Sequence, residues 1–271
     1  MRRQTELERR LRSVRALGEA ISAMKSLSAH HLREARAALA PAHAYRAGVE
    51  AAVQRTGASL PAGAGPAALL VVGGELGLCG GYHRDLVAEA TARRAALGPG
   101  PTYVVGRRAQ AILRRAGVEA ARSYPAPTSP RGLVKLLLSL AQDALTDYVR
   151  DDHASLDVVA ARFEGVGAFT AVSTRLLPFM GSGAPATPPR YVSAEHLRRV
   201  AVREALYITL HGVLLDALAA EHGARLVATQ AAEDWLQRRR QTLERGLGAA
   251  RREASTQEVI EIVAGARARA R

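Results

Sequence analysis

The sequence predicts an α/β protein: a long antiparallel coiled coil of N- and C-terminal helices plus a separate domain of alternating strands and helices. Three observations carry this. Apolar or small residues recur in steps of four and three at Leu7, Leu11, Val14, Gly18, Ile21, Ser28, Leu32, Ala35 and Leu39. The same stepping returns at Leu206, Leu210, Val213, Ala217, Ala220, Ala224, Val227 and Ala231, in a stretch from Tyr191 to Arg271 without proline. Between the two lie short apolar runs separated by helical patterns and glycine turns, the signature of a mostly parallel sheet with helices on both faces.

The first helix covers residues 1–56, with Lys25 breaking the apolar seam and Pro41 as the position where a kink or restart is expected. Residues 57–66, GASLPAGAGP, read as a flexible linker. The α/β domain spans 67–177. Its strands are expected at Ala67–Val72, Thr102–Val105, Val118–Arg122, Leu156–Phe163 and Phe169–Leu177. Its helices are expected from Gly81 to Leu97, Gly106 to Ala116 and Gly132 to Val149. That order makes the domain Rossmann-like. Residues 178–190 form a second linker, and 191–271 form the last helix. Two such amphipathic helices need a partner for their apolar stripes. The short insert returns the chain to the same end, so they pair antiparallel with each other. Separate homodimeric coiled coils are the rival arrangement.

Composition supports this division. Of 271 residues 48% are hydrophobic but only 4% aromatic, so alanine carries much of the apolar content, which suits helix seams better than a β-sandwich. The net charge is +13, and Lys25 and Lys135 are the only lysines. Such a field suits an acidic partner: nucleic acid, an anionic membrane surface or an acidic protein. Cys79 is the single cysteine, which excludes an internal disulfide and fits a reducing compartment. No apolar run approaches the roughly 20 residues of a membrane span. Met1-Arg2-Arg3 leads into Glu6 and Glu8 rather than an apolar segment, so no secretory signal is expected.

Few residues are spaced for chemistry. Gly73 to Gly81 follows the first strand of the domain and precedes a helix, where a phosphate loop would sit. No Gly-Lys-Ser/Thr follows, and the spacing misses the dinucleotide fingerprint, so a tight turn is the expected role. Cys79 is expected to act as a small apolar residue there. His30 and His31 are adjacent and so point in different directions on a helix, which argues against a metal pair. His211 and His222 share a face but stand three turns apart, and Asp151-Asp152-His153 reads as a polar loop. No catalytic, cofactor-binding or metal constellation emerges. The arginine clusters Arg238-Arg239-Arg240, Arg245 and Arg251-Arg252 have only Trp235 nearby for stacking and are interrupted by Glu244, Glu253, Glu258 and Glu261. An acidic protein surface is therefore a better match than a phosphate backbone.

Several segments resemble one family. Glu75-Leu-Gly-Leu-Cys-Gly-Gly81 is similar to the D-R-G-L-C-G-G segment of the gamma subunit of F-type ATP synthases. Ala250-Arg-Arg-Glu-Ala-Ser-Thr-Gln-Glu258, then Val-Ile-Glu-Ile-Val-Ala-Gly-Ala266, resembles its A-R-Q-A-x-I-T-Q-E and E-I-V-x-G-A motifs. Leu214 to Ala228 resembles L-x-x-A-L-A-S-E-x-A-A-R-M-V-A, and Ala23-Met24-Lys25 with Leu32-Arg33 resembles K-A-M and M-R-K. Met24 to Ser28 is also similar to the divergent sodium-type N-ATPase branch. The resemblance spans nearly the whole chain.

It implies a non-catalytic central rotor shaft that couples proton or sodium translocation to ATP synthesis or hydrolysis on the beta subunits. The implied partners are the alpha and beta subunits, the epsilon subunit and the membrane c-ring, with no nucleic acid and no direct membrane span. The implied place is peripheral, on the cytoplasmic face of a bacterial inner membrane. Carried over residue by residue, Arg251, Arg252, Thr256, Gln257 and Glu258 match the stretch that meets a beta-subunit loop. Met24, Lys25 and Arg225 match the region facing the beta subunits' acidic loop, and Val259, Ile262 and Val263 would lie near the shaft tip. Departures are Ser22 for the family's lysine, Glu75-Leu76 for D-R, Arg252 for glutamine, and the arginine-rich ending from Arg267. The alternative is a basic coiled-coil scaffold that binds nucleic acid or an acidic protein.

Overall fold

The computed structural model describes residues 2–180 and 191–269. Its elements are α1 (Arg2–Thr56), β1 (Ser59–Leu60), β2 (Ala68–Val72), α2 (Tyr82–Leu97), β3 (Thr102–Val105), α3 (Arg107–Arg115), β4 (Arg122–Tyr124), α4 (Pro130–Arg150), β5 (Leu156–Gly165), β6 (Ala168–Leu177), β7 (Phe179–Met180) and α5 (Ala194–Arg269). The chain divides into two compact units, Met1–Ser26 with Thr229–Arg271, and Leu27–Ala228.

The first unit is a helix pair. Leu11 is buried with Leu243 and Leu247, and Leu7 and Val14 pack against them. Ion pairs cross the seam at Arg3–Glu253 (3.5 Å), Glu8–Arg251 (2.9 Å), Arg15–Glu244 (3.4 Å) and Lys25–Glu233 (2.7 Å). One set of numbers rises as the other falls, so the pairing is antiparallel. Opposite charges at flanking positions set such a register. Lys25, expected to break the seam, is half-buried, and its ammonium donates to Glu233 across the pair.

The second unit is a five-stranded sheet of order β4-β3-β2-β5-β6 with helices on both sides. β2, β3, β4 and β5 run parallel, and β6 returns antiparallel to β5 as a hairpin. β2 (ALLVV) is buried along its whole length, as a central parallel strand must be when both faces are covered. Its alternate residues feed two cores. Leu70 and Val72 face Leu133, Leu137 and Leu140 of α4 and Leu210 and Leu214 of α5. Leu69 and Val71 face Tyr82 and Leu86 of α2 and Leu113 of α3.

Four expectations change. Residues 57–66 are not a flexible linker. Ser59–Leu60 pair with Phe179–Met180, and the Gly63 and Gly65 N–H groups donate to the carbonyls of His153 and Asp152. Pro41 does not restart α1, which is one helix from Arg2 to Thr56. Ala37 and Pro41 are both exposed, so the carbonyl that loses its helical donor faces water. The strand expected at Val118–Arg122 forms at Arg122–Tyr124 instead, because the Val118 N–H still caps α3 by donating to Leu113. The α5 seam also drifts. Val227 and Ala231 are exposed, while Thr229, Leu236, Leu243, Leu247 and Ala250 are buried. A straight helix turns away from a strict seven-residue repeat by about 20° per heptad. Of the second linker, residues 181–190 lie outside the described residues, as do Ala270 and Arg271 of the tail.

Candidate functional site

The sequence-predicted contact residues fall into two groups. Met24 and Lys25 on α1, and Arg251 to Glu258 on α5, belong to the helix-pair unit. Met24 and Lys25 are half-buried, and Lys25 is held by Glu233, whose carboxyl pKa is lowered first by that hydrogen bond and then by one from Ser22. Arg251 is exposed and donates to Glu8 at 2.9 Å. Arg252 is exposed, and the Thr256 hydroxyl donates to its carbonyl at 2.9 Å. Gln257 donates to Glu261 at 3.0 Å, one turn on, and Glu258 is exposed.

From Ala254 to Arg269 the helix runs on past Glu253, the last residue of α5 in the ion-pair ladder, for about 24 Å at 1.5 Å per residue. Val259, Ile260, Ile262 and Val263 stand exposed on this segment, at 45–64% of their full accessible surface. Four neighbouring large apolar side chains on one helix end exceed the scattered single exposures of an ordinary surface.

Arg225 does not belong with them. It lies in the other unit, 2% exposed, and is already engaged within the chain. Its Nε donates to Gly77 O at 3.1 Å and its Nη2 to Leu76 O and Cys79 Sγ, each at 3.2 Å. Glu221, one turn earlier on α5, pairs with the same guanidinium. Burial opposes the charge, but Glu221 leads the contacts that keep the Arg225 pKa above its ordinary value. Within the chain, this arginine fastens the glycine turn to α5.

Other groups complete that fastening. His222 Nε2 donates to Thr128 O at 2.9 Å, so its Nδ1 accepts from Arg225 at 3.3 Å. Burial, and then Arg225, push the His222 pKa down to about 4. The Tyr82 hydroxyl donates to Ala217 O at 3.3 Å. Glu75, in the turn, accepts from the Arg107 and Ala126 N–H groups at 3.1 Å each and pairs with the Arg107 side chain. Gly73 lies so close to Ala109, and Gly74 to the Glu221 carboxylate, that neither position has room for a Cβ.

The space at the turn is thus taken up by the chain's own ion pairs, Glu75–Arg107 and Glu221–Arg225. Cys79 is buried, and burial raises its thiol pKa to about 11 against the pull of Arg225, the reverse of an activated nucleophile. Sequence reasoning missed Glu221, Tyr82 and the roles of His222 and Glu75. One signal was present: Glu221 and Arg225 are an i,i+4 pair inside an alanine-rich run.

The chain matches a family model described as ATP synthase over residues 3–268. It is 29% identical to the ATP synthase gamma chain of Moorella thermoacetica, over 96% of this chain and 97% of that one. It is 31% identical to the gamma chain of Saccharopolyspora erythraea, over 74% and 73%. Among solved structures it is similar to a chain of the Euglena gracilis mitochondrial ATP synthase OSCP/F1/c-ring assembly, with TM-score 0.65, 11% identity and coverage of 98% and 94%. It is also similar to a chain of the Tetrahymena thermophila mitochondrial ATP synthase central stalk and c-ring, with TM-score 0.62, 15% identity and coverage of 79% and 99%.

Proposed function

Because the chain belongs to the ATP synthase gamma-chain family, we propose that it works as the central rotor shaft of a rotary F-type ATP synthase, coupling ion translocation to ATP synthesis or hydrolysis. It is a non-catalytic member of that complex, and the nucleotide chemistry takes place on the beta subunits. The observation that carries the reading is the match along the whole chain to gamma chains, joined to an antiparallel helix pair whose longer member ends in an exposed apolar segment.

The finer assignments follow from how this chain would serve as a shaft. The alpha and beta subunits surround the helix pair, and the apolar tip around Val259 to Val263 turns within an apolar collar. A small apolar surface can slide there without committing to one orientation, since its attraction has no direction. Arg251, Arg252, Thr256, Gln257 and Glu258, with Met24 and Lys25, meet the beta subunits. Charge-assisted hydrogen bonds to carboxylates would form and break as the shaft turns. The epsilon subunit and the c-ring engage the α/β unit. The complex is membrane-attached through its ring on the cytoplasmic face of a bacterial inner membrane, and no described helix of this chain is long and apolar enough to cross a bilayer. The coupling ion, proton or sodium, is selected by the ring. A basic scaffold for nucleic acid finds no support in the comparisons.

Affinity isolation of the tagged chain from its own cells tests the proposal. Alpha and beta subunits should co-purify in a complex that hydrolyses ATP, and their absence would overturn the reading.

A further inference from the structure

We infer that His30, His31 and Glu34 form a binding site for a divalent transition-metal ion of the zinc class on α1. Adjacent residues on a helix point about 100° apart, which is why the pair reads from sequence as two divergent side chains. In the fold both rings lean towards one carboxylate. His30 Nε2 lies 3.6 Å and His31 Nδ1 3.2 Å from the same Glu34 oxygen. The ring centroids are 5.3 Å apart, and one ligand atom from each of the three residues falls within 4.8 Å of the others. An ion with bonds of about 2.0–2.1 Å in tetrahedral geometry spaces its ligands about 3.4 Å apart. Two of the three edges already have nearly that length, so the third needs only a modest side-chain rotation.

The spacing explains the convergence. His30 and Glu34 are i,i+4 and His31 and Glu34 are i,i+3, the two intervals that bring side chains together on a helix surface. The rest of the fold supports His31 from behind. Its ring lies 5.1 Å from that of His222, tilted by 45°, and its side chain is 13% exposed against 56% for His30. His222 is itself fixed by Thr128 O and Arg225, with both ring nitrogens committed, so it orients His31 and is not a fourth ligand.

Two imidazoles and one carboxylate suit zinc, cobalt or nickel and leave the outward positions to water. Magnesium and calcium, which prefer all-oxygen shells, fit poorly. Arg131 acts on Glu34, and Arg225 stands behind His222, so the ion enters against positive charge and binding stays reversible. Among the described residues no other group of three such side chains comes together. The inference does not depend on the rotor role.

The test is titration of the full chain with zinc chloride by calorimetry and with cobalt chloride by visible absorption. One equivalent should bind. His30→Ala and Glu34→Gln, both at exposed or half-exposed positions, should weaken binding by more than about tenfold with unchanged circular dichroism. Magnesium chloride should give no heat of binding. Failure of the parent chain to bind zinc at millimolar concentration would overturn the site. So would parental affinity in both variants, or a thiolate-to-cobalt charge-transfer band, which would place the ion on Cys79.

Discussion

Arg225 keeps a full charge in the interior because five acceptors surround it: Glu221, the carbonyls of Leu76 and Gly77, Cys79 Sγ and His222 Nδ1. Removing it would strand the Glu221 carboxylate in a buried place. Breaking a buried pair from one side costs about 3–5 kcal/mol, whereas replacing both members by apolar residues can be nearly neutral. We therefore expect Arg225→Met to lower the unfolding free energy by that amount in urea titration, and Glu221→Leu with Arg225→Met to recover part of it. A single variant as stable as the parent would remove the tether. His222 sets a pH dependence at the same place. Its folded pKa, about 4, lies below the ordinary 6.5, chiefly through burial and then Arg225, with His31 adding to the depression. The unfolded chain therefore binds the proton more readily. Stability from this group is complete above pH 6.5 and is lost as pH falls towards 4, by about 3 kcal/mol in all. His83 is depressed in the same direction, again by burial. Urea titrations from pH 7.5 to 4 should show the loss, and His222→Gln should flatten part of it.

At the scale of elements, α5 changes its use along its length. From Ala217 to Arg225 every residue is buried, because the sheet and its helices cover one side and α1 the other. Ala217 and Ala220 are small for that reason: Ala217 belongs to the core that holds Leu70, Val72 and Leu133, and Ala220 packs in the core of Leu69, Cys79, Tyr82 and Leu86. Both thus lie in cores that include the sheet, and the core of Ala217 also takes in Leu32 and Ala35 of α1. Ala220→Leu should still destabilise by about 1–3 kcal/mol through overpacking, read as a lower thermal midpoint. An unchanged midpoint would mean that the position can open without strain. Beyond Thr229 the same helix faces α1 alone, and its buried set thins to Leu236, Leu243, Leu247 and Ala250.

For the whole molecule, stability and coupling should separate at the end of α5. The Arg251–Glu8 pair is exposed on both sides, and exposed pairs contribute little to stability. Reversing Arg251 and Arg252 to glutamate should leave the thermal midpoint within about 3 °C of the parent. If these arginines meet carboxylates on the beta subunits, ATP turnover of the assembled complex should fall by about tenfold. Normal turnover in the double variant would take them out of the coupling surface.

The sequence by itself determined the two long helices, the alternating α/β insert and the family, since periodicity and local motifs survive without knowledge of the packing. Through the family resemblance it also singled out Val259, Ile262 and Val263, which stand exposed on α5. Only the tertiary structure decided that the stretch around 57–66 is pinned to His153 and β7, that the seam drifts off Val227 and Ala231, and that His30 and His31 converge on Glu34. It also decided the fate of Arg225. In sequence a charged residue on a long basic helix reads as a solvated or partner-facing group. Here the glycine turn, about 150 positions earlier, closes over it and supplies the acceptors, and spacing along one helix carries no record of what packs against it from elsewhere.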